Sequence, residues 1–214
     1  MLTSLLAALL LLTVTPPVDE AHPAALVGSY DGPQMEMAAG LELTADGRFR
    51  YALSYGGLDE EAAGNWAVDH GTVVLTSDPV TAPRIVMTGR KMGPPGELRI
   101  TLDMPEGGMT RQLFEAEIIF ADGHAAQQQL AEDETVIAFP ASAPPTGVML
   151  VLPMFDVAGE RVAIDPAKGE QLRFTFAPND LGKVDFRGTR LRQVAGELLL
   201  DRFGRTIHFR RAPD

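Results

Sequence analysis

Between Leu41 and Tyr55 the apolar side chains fall on every second residue: Leu41, Leu43 and Ala45, then Phe49, Tyr51, Leu53 and Tyr55, with Asp46-Gly47 dividing the two runs. A period of two separated by a turn signal specifies an antiparallel β-hairpin with one apolar face. Parity then fixes the register. Directly opposed residues share a face, so Leu43 has to oppose an odd-numbered residue. A two-residue Asp46-Gly47 turn would set Leu43 against Arg50 and fails. A three-residue loop, Ala45-Asp46-Gly47, with Gly47 left-handed, pairs Leu43 with Phe49 and Leu41 with Tyr51. It also places Glu42 beside Arg50 on the polar face.

The same test succeeds twice more. Trp66 and Val68 meet Leu75 and Val73 if His70-Gly71 is a two-residue turn. Leu198 and Leu200 meet Phe209 and Ile207 across Phe203-Gly204, with Glu197 facing Arg210 outside. Hairpins with one apolar face require a closed barrel or a packed sandwich. The middle of the chain gives shorter strands: Gln112–Phe120, Thr135–Phe139, Val148–Leu152, Val162–Ile164 and Leu172–Phe176, bounded by Pro94-Pro95, Pro144-Pro145 and Pro178. Val148–Leu152 is apolar throughout and reads as a central strand covered on both faces. Helix signal is weak; Ala125–Glu134 is read as at most one short turn. With 16 prolines and 21 glycines spread along 214 residues, the expected class is all-β.

Leu5–Leu12 is an apolar run ended by Pro16-Pro17, too short to span a bilayer and suited to a secretory leader over residues 1–21. The expected location is therefore periplasmic or secreted, with no membrane span. There is no cysteine, which removes disulfides and a lipoprotein anchor. The formal charge is −11, and loss of the leader removes two acids and no base. Such a chain attracts neither nucleic acid nor anionic lipid.

The pattern Gly28-x-Tyr30, Leu41-x-Leu43-x-x-Asp46-Gly47-x-Phe49-x-Tyr51, Tyr55-x-Gly57 and Gly64-x-Trp66 resembles the N-terminal barrel of the NlpE-type copper-resistance lipoproteins, and more broadly small lipocalin-like bacterial barrels. In those proteins a Leu-x-x-Leu-Asp-x-x-Gly pattern closes the barrel. The similar stretch here, Leu198–Gly204, comes about 120 residues after Leu75. The resemblance thus implies a lipocalin-like antiparallel barrel, residues 26–104 plus 180–212, with a small immunoglobulin- or transthyretin-like β-sandwich inserted at 106–178. The other arrangement is two sequential domains, 26–105 and 106–212. The family's lipidated cysteine and Cys-x-x-Cys pair are absent, so its metal chemistry is not implied.

Candidate chemistry is sparse. Tyr30, Phe49, Tyr51, Tyr55 and Trp66 form the inward aromatic set, either a ligand-binding lining at the barrel mouth or plain core. Met35-Glu36-Met37 offers two thioethers, a weak soft-metal set. His22, His70, His124 and His208 lack paired spacing. Asp59-Glu60-Glu61 reads as a polar loop without calcium-ligand spacing. No Gly-x-Ser-x-Gly or cysteine nucleophile occurs, and Ser54 and Ser77 have no base nearby in sequence. Arg202, Arg205, Arg210 and Arg211 form a basic cluster in an acidic chain. No metal or cofactor is expected. The expected function is a non-enzymatic envelope protein, an interaction or structural module. The alternative is a barrel binding a small apolar ligand. A protein partner predicts exposed apolar surface on strand edges or loops, around Met149–Phe155.

Overall fold

The computed structural model describes residues 23–33, 35–107, 109–165 and 168–213. The expected leader and His22 lie outside them. Five strands come first: β1 (Gly28–Asp31), β2 (Met37–Leu43), β3 (Arg48–Tyr55), β4 (Leu58–Asp69) and β5 (Thr72–Ser77). Nine follow: β6 (Arg84–Gly93), β7 (Glu97–Asp103), β8 (Glu115–Phe120), β9 (Ala125–Gln129), β10 (Thr135–Ala138), β11 (Pro145–Leu152), β12 (Val157–Ala158), β13 (Val162–Ala163) and β14 (Gly169–Ala177). The last three are β15 (Arg187–Val194), β16 (Glu197–Arg202) and β17 (Arg205–Arg211).

An eight-stranded antiparallel barrel closes in the order β1-β17-β16-β15-β5-β4-β3-β2. Strands from the beginning and the end of the chain therefore complete one sheet. The parity registers hold: Leu43 opposes Phe49, Leu41 opposes Tyr51, Trp66 opposes Leu75, and Leu198 opposes Phe209. Gly47 is left-handed with φ 78°, as the three-residue loop demands, and Thr44 N–H donates to the Arg48 carbonyl across it. His70 and Gly71 both have positive φ, the mark of a two-residue turn matched to strand twist. Gly64 opposes Phe49 and Ser77; any Cβ there would enter the backbone of β5, so the close β4–β5 approach needs glycine.

Strands β6 and β7 depart from the expected barrel span. The barrel ends at Ser77, and β6 and β7 join a second body, pairing with β14 in the sheet β10-β7-β14-β6. The β7–β14 pair is parallel, bringing together residues some 70 positions apart. The facing sheet runs β12-β11-β8-β9, with β13 also on β11. Leu98, Ile100, Leu102, Leu172, Phe174 and Phe176 of one sheet share a core with Phe114, Ala116, Ile118, Val148, Leu150 and Leu152 of the other. This is a sandwich. Phe114 and Phe176 meet edge to face across it, 4.9 Å apart.

Three further expectations are corrected. Ala125–Gln129 is strand β9, exposed on every residue, not a helical turn. Strand β11 is central in its sheet but fully covered on one face only; Met149 and Val151 are half-buried because no third layer lies over them. Asp59-Glu60-Glu61 is not a loop but part of β4, which alternation carries on into the barrel.

The chain leaves the barrel at 78–83 and returns at 178–186, and these two connections are tied together. Ser77 Oγ donates to the Val184 carbonyl (2.8 Å) and accepts from Phe186 N–H (3.0 Å). Asp180 accepts from Thr81 N–H (2.9 Å), and Asn179 donates to the Ala82 carbonyl (2.8 Å).

Candidate functional site

The inward aromatic set is brought together as expected from parity, and it fills the barrel. Tyr30, Phe49, Tyr51 and Trp66 are buried among Leu41, Leu43, Leu53, Val73, Leu75, Phe186, Leu191, Ile207 and Phe209. Tyr51 packs edge to face on Phe186 at 5.2 Å and on Phe209 at 6.5 Å. Tyr30 donates its hydroxyl proton to the Leu26 carbonyl (2.7 Å), which fastens the short helix Pro23–Leu26 to the wall. Trp66 donates its indole N–H to the Thr44 carbonyl (3.0 Å). Beside Trp66, a hollow of about 440 Å³ is lined by Ala24, Val27, Ala45, Gly47, Ala67 and Val68. Tyr55, half-buried at the opposite end of the barrel, packs against the same core.

That end carries a polar group which sequence reasoning missed. Even-numbered parity along β4 and β16 sends Glu60 and Arg202 inward with Ala62, Leu198 and Leu200. Arg202 donates through Nε (2.8 Å) and Nη2 (2.5 Å) to the two carboxylate oxygens of Glu60, a bidentate pair. The guanidinium lies 4.7 Å from the Phe203 ring centroid and 6.0 Å from Phe186. Arg205 covers Tyr55 in the same way at 5.5 Å. The Tyr51 hydroxyl points at this pair, yet no acceptor takes its proton. Burial pushes the Tyr51 phenol well above its ordinary value, against the pull of Arg202. Phe203 itself is 44% exposed and held at φ 53°, a left-handed position that aromatic residues rarely take.

The remaining sequence candidates disperse. Met37 is buried in the barrel while Met35 is exposed on the far side of left-handed Glu36, so the two thioethers do not converge. His70, His124 and His208 each pair with a local carboxylate, Asp69 (2.6 Å), Asp122 (2.5 Å) and Glu197 (2.8 Å). Among the described residues no three metal-ligating side chains gather. In the basic cluster Arg210 binds Glu197 (2.7 Å), and Arg211 donates to the Val27 carbonyl. Ser54 donates to Asp59 (2.6 Å). Of Met149–Phe155, only Pro153 and Met154 are exposed, and Met154 lies over Gly57 at the barrel end.

Exposed apolar surface concentrates instead on β6. This ten-residue strand is the edge of its sheet; it pairs with β14, and no described strand takes its other side. Residues opposed across β14 and β6 share a face, so Ile85 and Met87, opposite Phe176 and Phe174, point toward the core side. Ile85 is buried, but Met87 is not covered, and Met92 is 79% exposed. Below them runs a groove of about 530 Å³ whose other wall is Ala158–Ala163. Arg90, still exposed, reaches from this groove to buried Glu170 at 3.5 Å and also donates to the Ala163 carbonyl (2.5 Å).

Comparison with protein-family models, with curated proteins and with solved structures finds no match to this chain. The likeness to NlpE-type barrels therefore rests on the hairpin motifs alone.

Proposed function

We propose that the protein is an exported, non-enzymatic envelope module that binds another protein through the free side of β6. One observation carries this reading: the longest edge strand of the sandwich has one side unpaired among the described residues and stands beside a groove lined by both apolar and charged side chains. Proteins usually cover or shorten such edges, because an unpaired strand is a template for another chain. Strand addition uses this geometry, with main-chain hydrogen bonds for affinity and alternate side chains for specificity. The filled barrel serves in this reading as the rigid support. The test is photo-crosslinking in the producing cell from positions 86 and 92, with Val194 on the barrel as control. The expected result is an adduct of one mass from both β6 positions and none from 194. Equal crosslinking from all three positions, or none from β6, overturns the reading.

The hollow beside Trp66 favours a second reading, a barrel that takes a small apolar ligand. Trp66 is the only tryptophan, so a fluorescent apolar probe reports on it directly. Saturable quenching supports the carrier; its absence leaves the interaction module.

A further inference from the structure

Resting on that reading, we propose that the occupant of the β6 edge is an extended acidic segment, alternating carboxylate and apolar side chains and added to the sheet as a fifth strand.

Alternation on β6 divides the two demands. On the core side, Met87 and the groove wall Ala158, Val162 and Ala163 offer apolar surface to every second side chain of an added strand. On the outer side stand Arg84 and Lys91, opposite Ala177 and Gln171 of β14. Neither has a carboxylate within ion-pair reach among the described residues, and neither does Arg161 across the groove. In a chain of net charge −11 carrying only 18 basic residues, three uncommitted cations around one strand edge are a local reversal of sign. Arg90 and Glu170 neutralise each other, which leaves Glu160 as the one exposed acid of the groove wall. Opposite charges directly across strands stabilise a pairing and like charges oppose it. A second copy fits poorly for that reason, since two β6 strands set side by side would bring arginine and lysine against arginine and lysine. The bulge in the β6–β14 register at Thr88 also bends the edge away from flat self-pairing. An acidic strand meets no like-charge penalty.

The probe is a capped eight-residue peptide of alternating valine and glutamate, compared with the valine–lysine peptide of the same length. Binding is followed by amide hydrogen exchange and backbone NMR shifts of the full protein. The expected result is slowed exchange confined to alternate amides of β6, with the acidic peptide at least tenfold tighter than the basic one. In the double variant Arg84→Glu, Lys91→Glu the preference reverses. Both positions are exposed, so the fold is retained. Equal affinity for the two peptides, or protection outside β6, overturns the proposal. Crosslinking from positions 86 and 92 together with no preference for the acidic peptide refutes the partner chemistry alone. Loss of the crosslinks refutes the docking edge itself.

Discussion

The barrel and the sandwich are built from the same alternating pattern, yet they treat their strand edges in opposite ways. In the barrel each strand has two neighbours, and the chain's two ends supply the seam, β1 against β17. Closure removes edges altogether. Among the described strands the sandwich leaves β6, β9, β10, β12 and β13 unpaired on one side, and β9 is exposed on all five residues. Both bodies bury aromatic rings, Phe49 and Phe209 in the barrel and Phe114, Phe174 and Phe176 in the sandwich, but the open sheets leave strand backbone unpaired.

The largest effect expected from this division comes from emptying the barrel core. Phe209 is fully buried against Tyr51, and Phe209→Ala should cost about 3–5 kcal/mol by denaturant titration. The loss should fall on β1–β5 and β15–β17 and leave the sandwich amides protected. Equal loss in both bodies would break the comparison. Next is Arg202→Ala, which strands the mostly buried Glu60 without its counter-charge, at about 2–4 kcal/mol. Replacing the pair together, Glu60→Leu with Arg202→Met, should recover most of that loss, because neither charge is left alone. Tyr51→Phe should stabilise the barrel by about 1 kcal/mol, since it removes a hydroxyl whose proton has no acceptor. Destabilisation would mean that the hydroxyl is hydrogen-bonded.

The smallest expected effect is in acid. Hydrogen bonds from Thr44, Arg190, Arg48 and Arg210 hold Asp46, Asp69, Asp78 and Glu197 below their ordinary values of 3.8 and 4.5. A carboxyl held low stabilises the fold above its ordinary value, and that stability is lost as pH falls through the lowered one. All four lie on the barrel or at its exit, whereas in the sandwich Asp122 is held low by His124. Thermal melts below about pH 4.5 should therefore lower the barrel transition first. Tyr30 and Tyr51, both raised by burial, give the opposite limb: the barrel weakens as pH climbs past their ordinary value of 10.0. A single transition with one pH profile would contradict the separation.

What the sequence made legible follows the same line. The three parity hairpins, Leu43 with Phe49, Trp66 with Leu75 and Leu198 with Phe209, were readable because turn chemistry and alternation act over a few residues. The β7–β14 pairing was not, because a parallel contact between distant residues has no turn to announce it. Glu60 sits inside an acidic run that resembles a loop, and only the position of Arg202 on a strand far along the chain explains why it faces inward. The groove beside β6 was hidden for a related reason. Met87 and Met92, on the core side of β6, are left uncovered because β12 and β13 are short.

Site-resolved native-state hydrogen exchange tests the central division most directly. The account predicts that amides of residues 28–77 and 187–211 open together with one free energy, those of the sandwich with another, and that alternate amides of β6 exchange fast until the acidic peptide is added. Amides of β15–β17 opening with β14 while β1–β5 remain closed would contradict it.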